Sequence, residues 1–353
     1  MSDNKLKTAI SRIGSRDDWR QAFIAQLVTY EGTISSIGVD VREEFTGPLV
    51  DALFDDNQIV RKTLSSGVIF EFLYRSKIAR DFVMSMPEHP DHAWEPQTSR
   101  LLINLAKSAR QVVIGGAYFG DHAILIAKEI SANGGVVHAF EPNNEQRDIL
   151  VRNARLNALT NIMPRPDGLW HNSTTNLKLS GYDSFATAES VDEGTDTFKT
   201  VTISDYLKSI QVDRLDLIVL DIEGSELSAL QGAENFLTQP SGVAPNILFE
   251  VHRNYVDWTN GLIKTPIAQL LIKNNYTLYG LRDFNSNYDL SGRPIELIPV
   301  ESIYLEGPPH GFNMVAVKDT AIFEGPNYLF IPDVSPKYLR HKNPALHHPV
   351  GGL

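Results

Sequence analysis

A short apolar run, Val112-Val113-Ile114, ends in Gly115-Gly116-Ala117-Tyr118-Phe119-Gly120 and passes through Asp121-His122 into the helix-spaced Ala123-Ile124-Leu125-Ile126-Ala127. A strand, a tight turn and a helix in about twenty residues leave few folds open. Glycine is wanted in such a turn because the backbone must reverse sharply and admit a ligand where a Cβ would stand. The following helix offers that ligand unsatisfied N–H groups and the positive end of its dipole. A second strand, Val136-Val137-His138-Ala139-Phe140, runs into Glu141. That acid lies roughly 20 positions past Gly120, the offset at which an acid takes a ribose hydroxyl pair in nucleotide-binding sheets. Turn and acid together predict a nucleoside-containing cofactor, with Gly115, Gly116, Ala117, Tyr118, Gly120, Asp121 and Glu141 around it. Read as a dinucleotide fingerprint, the turn has Ala117 where a pyrophosphate needs the closest backbone approach. S-adenosylmethionine has no pyrophosphate, which tilts the reading toward methyl transfer. An NAD-dependent oxidoreductase stays open at this point.

Strands at 111–115, 136–141 and 161–167 alternate with helices at 121–131 and 143–158. The apolar runs 216–223 and 246–252, each followed by a helical pattern, resume the alternation, and 276–281 and 311–318 read as the last strands. This predicts a parallel sheet covered on both faces. Residues 168–200 interrupt it; Asn176-Leu177-Lys178-Leu179 and Phe185-Ala186-Thr187-Ala188 read as a small hairpin excursion. The first ninety residues read as helices. Trp19, Phe23, Ile24, Leu27 and Val28 share a face, and Leu64, Val68, Ile69, Phe72 and Leu73 repeat the spacing, extended by Ile78, Phe82 and Val83. The expected organisation is a helical cap over 1–90, an α/β domain over 91–320, and a tail over 321–353 packed on or near the core. Residues 87–92 read as a proline-punctuated linker. The cap is either plain packing or a lid over the acceptor site.

Composition removes other classes. A net charge of −11 and a pI near 5.4 argue against a nucleic-acid surface. No apolar run has membrane length, no h-region follows Met1, and with no cysteine there is no thiolate zinc site or cysteine nucleophile. The expectation is a cytoplasmic protein whose partner is a small-molecule acceptor, with no oligomer indicated.

In open α/β sheets ligands gather at the carboxyl ends of the strands. Those ends carry the glycine turn, Glu141, the pair Asp221/Glu223 and the pair Glu250/His252. His252 has the titration range of a general base, and strand-end carboxylates can orient a hydroxyl. Glu223 and Ser225 equally suit capping a helix near 226, and Glu250 a buried ion pair. Asp167 with Gly168 suits hydrogen bonding to an adenine amino group or an ordinary turn. Asp221, Glu223 and His252 suit a hard divalent cation or a sugar-like acceptor equally, and no metal ligand is assigned; His341, His347 and His348, among prolines, read as a solvated tail rather than a metal site.

Leu217-Ile218-Val219-Leu220-Asp221-Ile222-Glu223-Gly224-Ser225-Glu226, followed by Leu230-Gln231-Gly232-Ala233, resembles the signature of FkbM-type S-adenosylmethionine-dependent methyltransferases. Gly116–Asp121, Phe140-Glu141-Pro142 and Phe249-Glu250-Val251-His252 resemble the family's other blocks in the right order, and Trp94-Glu95-Pro96 and Asn313 are similar as well. The likeness spans about 93 to 318. Ile114 stands where the family usually has an acid, and Val219 where it often has lysine. The resemblance implies a Rossmann-like class I methyltransferase fold, a mainly parallel seven-stranded sheet with a final antiparallel strand. It implies S-adenosylmethionine as cofactor and O-methylation of a hydroxyl on a sugar or natural product. With it, His252 is taken as base, and Asp221 or Glu223 as orienting the acceptor. The rivals are an NAD-dependent oxidoreductase and a cofactor-binding module without catalysis, for which Ile114 and Val219 speak. The acceptor pocket is expected to draw on the cap, the 168–200 excursion and the tail.

Overall fold

The computed structural model describes residues 2–34, 40–55, 57–85, 94–181, 187–191, 197–283, 290, 292–306, 311–338 and 342–352. The expected linker at 87–92, Phe185-Ala186 and His341 lie outside these residues. Helices Ser2–Gly14 and Asp17–Ile34 open the chain; on the second, Ile24 and Leu27 are buried, whereas Trp19 is 51% exposed.

Residues 59–73 correct the helical expectation. They form an antiparallel hairpin of β1 (Ile59–Thr63) and β2 (Ile69–Leu73), turning through Gly67 at φ +79. Phe70 and Phe72 are fully buried, so a period of two fits a run that also satisfied helical offsets. A helix begins only at Lys77–Met84, where Ser76 Oγ accepts the Ala79 N–H. Helix Asn144–Leu156 and the residue after it hold the hairpin edge. Asn153 accepts the Glu71 N–H (2.7 Å) and donates to the Glu71 carbonyl (2.8 Å); Asn157 does the same for Ile69 (2.8 and 2.6 Å). Two carboxamides thus stand in for a neighbouring strand and satisfy polar groups that an open edge would leave unpaired. Phe70, Phe72 and Phe82 close on Phe119 of the glycine turn, with ring centroids 4.9–6.3 Å apart. The cap and the turn share one core.

The other strands are β3 (Gln111–Gly115), β4 (Val136–Phe140), β5 (Ile162–Arg165), β6 (Gly168–Leu169), β7 (Asn176–Ser180), β8 (Thr187–Val191), β9 (Thr197–Val201), β10 (Leu217–Leu220), β11 (Asn246–Val251), β12 (Thr277–Leu281), β13 (Ile295–Pro299), β14 (Phe312–Val317) and β15 (Tyr328–Phe330). Nine make one sheet in the order β15-β13-β12-β14-β11-β10-β3-β4-β5. The five from β11 to β5 pair in parallel, and β14 enters antiparallel between β11 and β12. This is the expected class I methyltransferase fold, widened from seven strands to nine by β13 and β15. Both were missed in the sequence because buried Glu296 and a three-residue edge strand leave no clean period. The excursion is a four-stranded sheet, β6-β9-β7-β8, rather than a single hairpin. The central strands are apolar on both faces: Val112 and Ile114 join the core beneath the cap, and Val113 the opposite one.

The reading of His347 and His348 as a solvated tail is also corrected. Fully buried Arg282 pairs with Glu296 at 3.0 Å and donates to the carbonyls of Ser335, Leu346 and His348, while His347 is buried. A guanidinium placed in a core needs that many acceptors, and the tail supplies three of them. No helix among the described residues is long and apolar enough to cross a membrane.

Candidate functional site

A cavity of about 340 Å³ opens at the carboxyl ends of β3, β4, β10 and β11. The backbone leaving β3 reverses through Gly116 (φ +75), Tyr118 (φ +46) and Gly120 (φ +95). A Cβ at Gly116 would stand 1.8 Å from the Asp221 carbonyl oxygen, so only glycine fits there. The Gly116 and Ala117 N–H groups donate to the Phe140 carbonyl (3.0 Å each), which joins the turn to β4. Buried Glu141 completes the joint, one oxygen accepting the Tyr118 N–H and the other the Asn143 N–H, both at 2.8 Å. The Tyr118 hydroxyl lies 3.2 Å from Ser76 Oγ and ties the turn to the cap.

Of the positions expected around a cofactor, Gly115, Gly116, Ala117, Tyr118, Asp121, Glu141, Asp167 and Gly168 line this cavity. Gly120 does not; its positive φ makes the turn behind them. Asp167 is held by Arg165 at 2.9 Å. A Cβ at Gly168 would strike the Phe198 ring at 2.5 Å, which gives that glycine a packing role.

The far wall is acidic. Asp221, Glu223 and Glu250 bring carboxylate oxygens within 4.8 Å of one another. Such spacing serves a shared proton or a hard cation. Glu223, itself at φ +50, pairs with the Tyr255 hydroxyl. Asp221 and Glu250 accept no hydrogen bond from the described residues. Burial first, then the neighbouring carboxylates, push both well above the usual carboxylate range. Helix Glu226–Gln231 is not capped by Ser225, as the sequence allowed. Instead Glu226 Oε1 reaches back to the Ile222 and Gly224 N–H groups (3.0 and 3.2 Å), and burial pushes that carboxyl up to about 7. His252 also faces the cavity; burial, then Lys337, lower its pKa. Its Nδ1 accepts the Asn254 N–H at 3.1 Å, so the neutral ring carries its proton on Nε2.

The remaining walls come from the cap (Asp40, Glu43, Lys77), the excursion (Leu177, Leu179, Phe198) and the tail (Lys337). Glu43 is held by Lys77 and Arg80, each at 2.7 Å. Arg80 and Arg42 are both buried, with Arg42 bridging Glu31 (2.7 Å) and Asp81 (2.9 Å). Sequence reasoning did not single out His122, Lys77 or Lys337. His122 directly follows the glycine turn and Asp121 and was the most findable; the lysines carry no local signal.

Residues 115–271 match the family model for the methyltransferase FkbM domain. Over 159 residues the chain is 28% identical to the hexuronic acid methyltransferase AglP of Haloferax volcanii, an alignment covering 45% of this chain and 62% of that protein. The match thus spans less than two thirds of that relative's length. Methyltransferase FkbM from Methylobacillus flagellatus aligns over 59% of this chain and 43% of its own at 17% identity, with a TM-score of 0.34. TYW2 from M. jannaschii, solved with AdoMet, aligns over 74% and 86% at 15% identity, with a TM-score of 0.36.

Proposed function

We propose that the chain, whose residues 115–271 match the family model for the methyltransferase FkbM domain, is an S-adenosylmethionine-dependent O-methyltransferase acting on a hydroxyl of a sugar or similar small natural product. The observation that carries the cofactor reading is β14, antiparallel between β11 and β12, in the same sheet as a glycine turn closed by Glu141. A dinucleotide fold would have a parallel strand there and a glycine at Ala117. The site suits the cofactor: Glu141 lines the cavity at the end of β4, where an acid takes a ribose diol, and Asp167 stands nearby for the adenine amino group. The 28% identity to a hexuronic acid methyltransferase supports a sugar as acceptor.

When bound, S-adenosylmethionine supplies a methyl group already activated on a sulfonium, so positioning of the acceptor oxygen accounts for most of the rate. His252 was expected as base. With Nδ1 occupied by Asn254, neutral His252 offers an Nε2–H donor instead, suited to orienting the acceptor oxygen. Asp221 is then the better base, and Glu223 the group that steadies it through the Tyr255 contact. The bound cofactor would supply the methyl group as its carbon–sulfur bond broke to a neutral thioether, and the acceptor's O–H proton would pass to the Asp221 carboxylate, with Glu250 close enough to share it. Calorimetry with S-adenosylhomocysteine and with NAD tests the reading. Binding of the sulfur nucleoside alone, with a methyl-sized mass gain on a hydroxylated sugar, is the expected result. Binding of NAD alone would overturn it.

A further inference from the structure

We propose that Glu95 and Lys337 form the seat for the amino-acid end of the cofactor in this chain, where Ile114 stands at the position of the family's acid. This rests on the S-adenosylmethionine reading. Ile114 pairs in register with Val219 across β3 and β10, and both enter the core shared with Leu101, Leu102 and Leu105 of helix Pro96–Ala106. That face of the two strands therefore has no group to receive an ammonium. Glu95 directly precedes the same helix and lines the same cavity, in a left-handed conformation (φ +43) that a glutamate rarely adopts.

The Glu95 side chain is only 16% exposed. Its Oε2 accepts from Asn313 Nδ2 at 2.6 Å and lies 3.8 Å from His122 Nε2, whereas Oε1 accepts nothing from the described residues. Burial opposes its charge, but His122, Lys337 and Asn313 together hold the carboxyl below its usual range, so it is ionised. His122 is the counter-charge: burial again opposes, and Asp121 and Glu95 prevail, raising it to about 9. Lys337 reaches the cavity from the tail, near enough to act on both Glu95 and His252. Its ammonium donates no hydrogen bond and closes no ion pair among the described residues.

An ionised carboxylate with a spare oxygen and an unpaired ammonium on one cavity complement a zwitterion. The α-ammonium of the ligand goes to Glu95 and the α-carboxylate to Lys337, each contact charge-assisted. His122 is a positioning residue that keeps Glu95 charged. Neither member of the pair lies within the matched domain at 115–271, so the seat is assembled from flanking segments.

Calorimetry with two nucleosides tests the seat: S-adenosylhomocysteine, which carries the amino-acid end, and 5′-methylthioadenosine, which lacks it. Glu95→Gln and Lys337→Met should each weaken S-adenosylhomocysteine about ten- to a hundredfold and leave methylthioadenosine within about twofold. Adding Ile114→Asp to Glu95→Gln should restore part of the loss. The seat is overturned if either variant binds S-adenosylhomocysteine like the wild type, or if both nucleosides weaken in parallel. If Glu95→Gln melts before the titration, Lys337→Met decides alone. Failure of the wild type to bind either nucleoside would sink the cofactor reading itself, and the seat with it.

Discussion

Glu141 and Asp221 both follow a parallel strand, on either side of β3, yet their surroundings differ completely. Glu141 accepts two backbone N–H groups at 2.8 Å and is a fixed anion whose placement the glycine turn dictates. Asp221 accepts none and crowds against Glu223 and Glu250. A carboxylate satisfied by amides is built to bind; one left unsatisfied among like charges is built to take up a proton. In the proposed function, the Glu141 side of β3 holds the cofactor and the Asp221 side takes the acceptor's proton.

The largest expected effect tests the second half of that contrast. Asp221→Asn should lower methyl transfer about 10²–10⁴-fold while S-adenosylhomocysteine affinity stays within a few-fold; comparable losses in turnover and affinity would erase the distinction. In the wild type, turnover should rise with pH to a plateau, its limb above the ordinary carboxylate range, because the base acts ionised and burial with its acidic neighbours raises Asp221. Glu141→Ala should do the reverse of the Asp221 change. It removes an acceptor for two ribose hydroxyls and strands two N–H groups, so affinity should fall by roughly 10²–10³, read by calorimetry. Gly116→Ala should destabilise the fold by roughly 3 kcal/mol in denaturant titration, since its Cβ would meet the Asp221 carbonyl oxygen at 1.8 Å. The smallest effect concerns Glu226. Its folded pKa of about 7 exceeds the ordinary 4.5, so the native state holds the extra proton and stability falls as pH rises between those values. Glu226→Gln should flatten that slope, with a gain of about 3 kcal/mol at pH 8; an unchanged slope would place the titration elsewhere.

How much was legible depended on distance along the chain. The turn at 115–120, its helix at 121–131 and Glu141 are written in neighbouring residues, and strand β3 and helix Asp121–Ser131 fall where their spacing placed them. The hairpin at 59–73 was not legible, because Leu64, Val68, Ile69 and Phe72 satisfy helical offsets while Phe70 and Phe72 satisfy the strand period. Only docking against Asn153 and Asn157 decides between them. His252 was visible as a titratable group at a strand end, but its tautomer depends on a loop amide two residues on.

By itself, then, the sequence determined the alternating sheet, the reversing turn and the acid that closes it. Periodicity and glycine placement act over a few residues, and their physics is local. The tertiary structure alone decided which charges meet: Glu95 with His122, Asp221 with Glu250, and Lys337 brought in by a tail anchored on buried Arg282. Those encounters join segments far apart in the chain, and what fixes them is the burial of apolar faces, after which each charge must find a partner or a ligand.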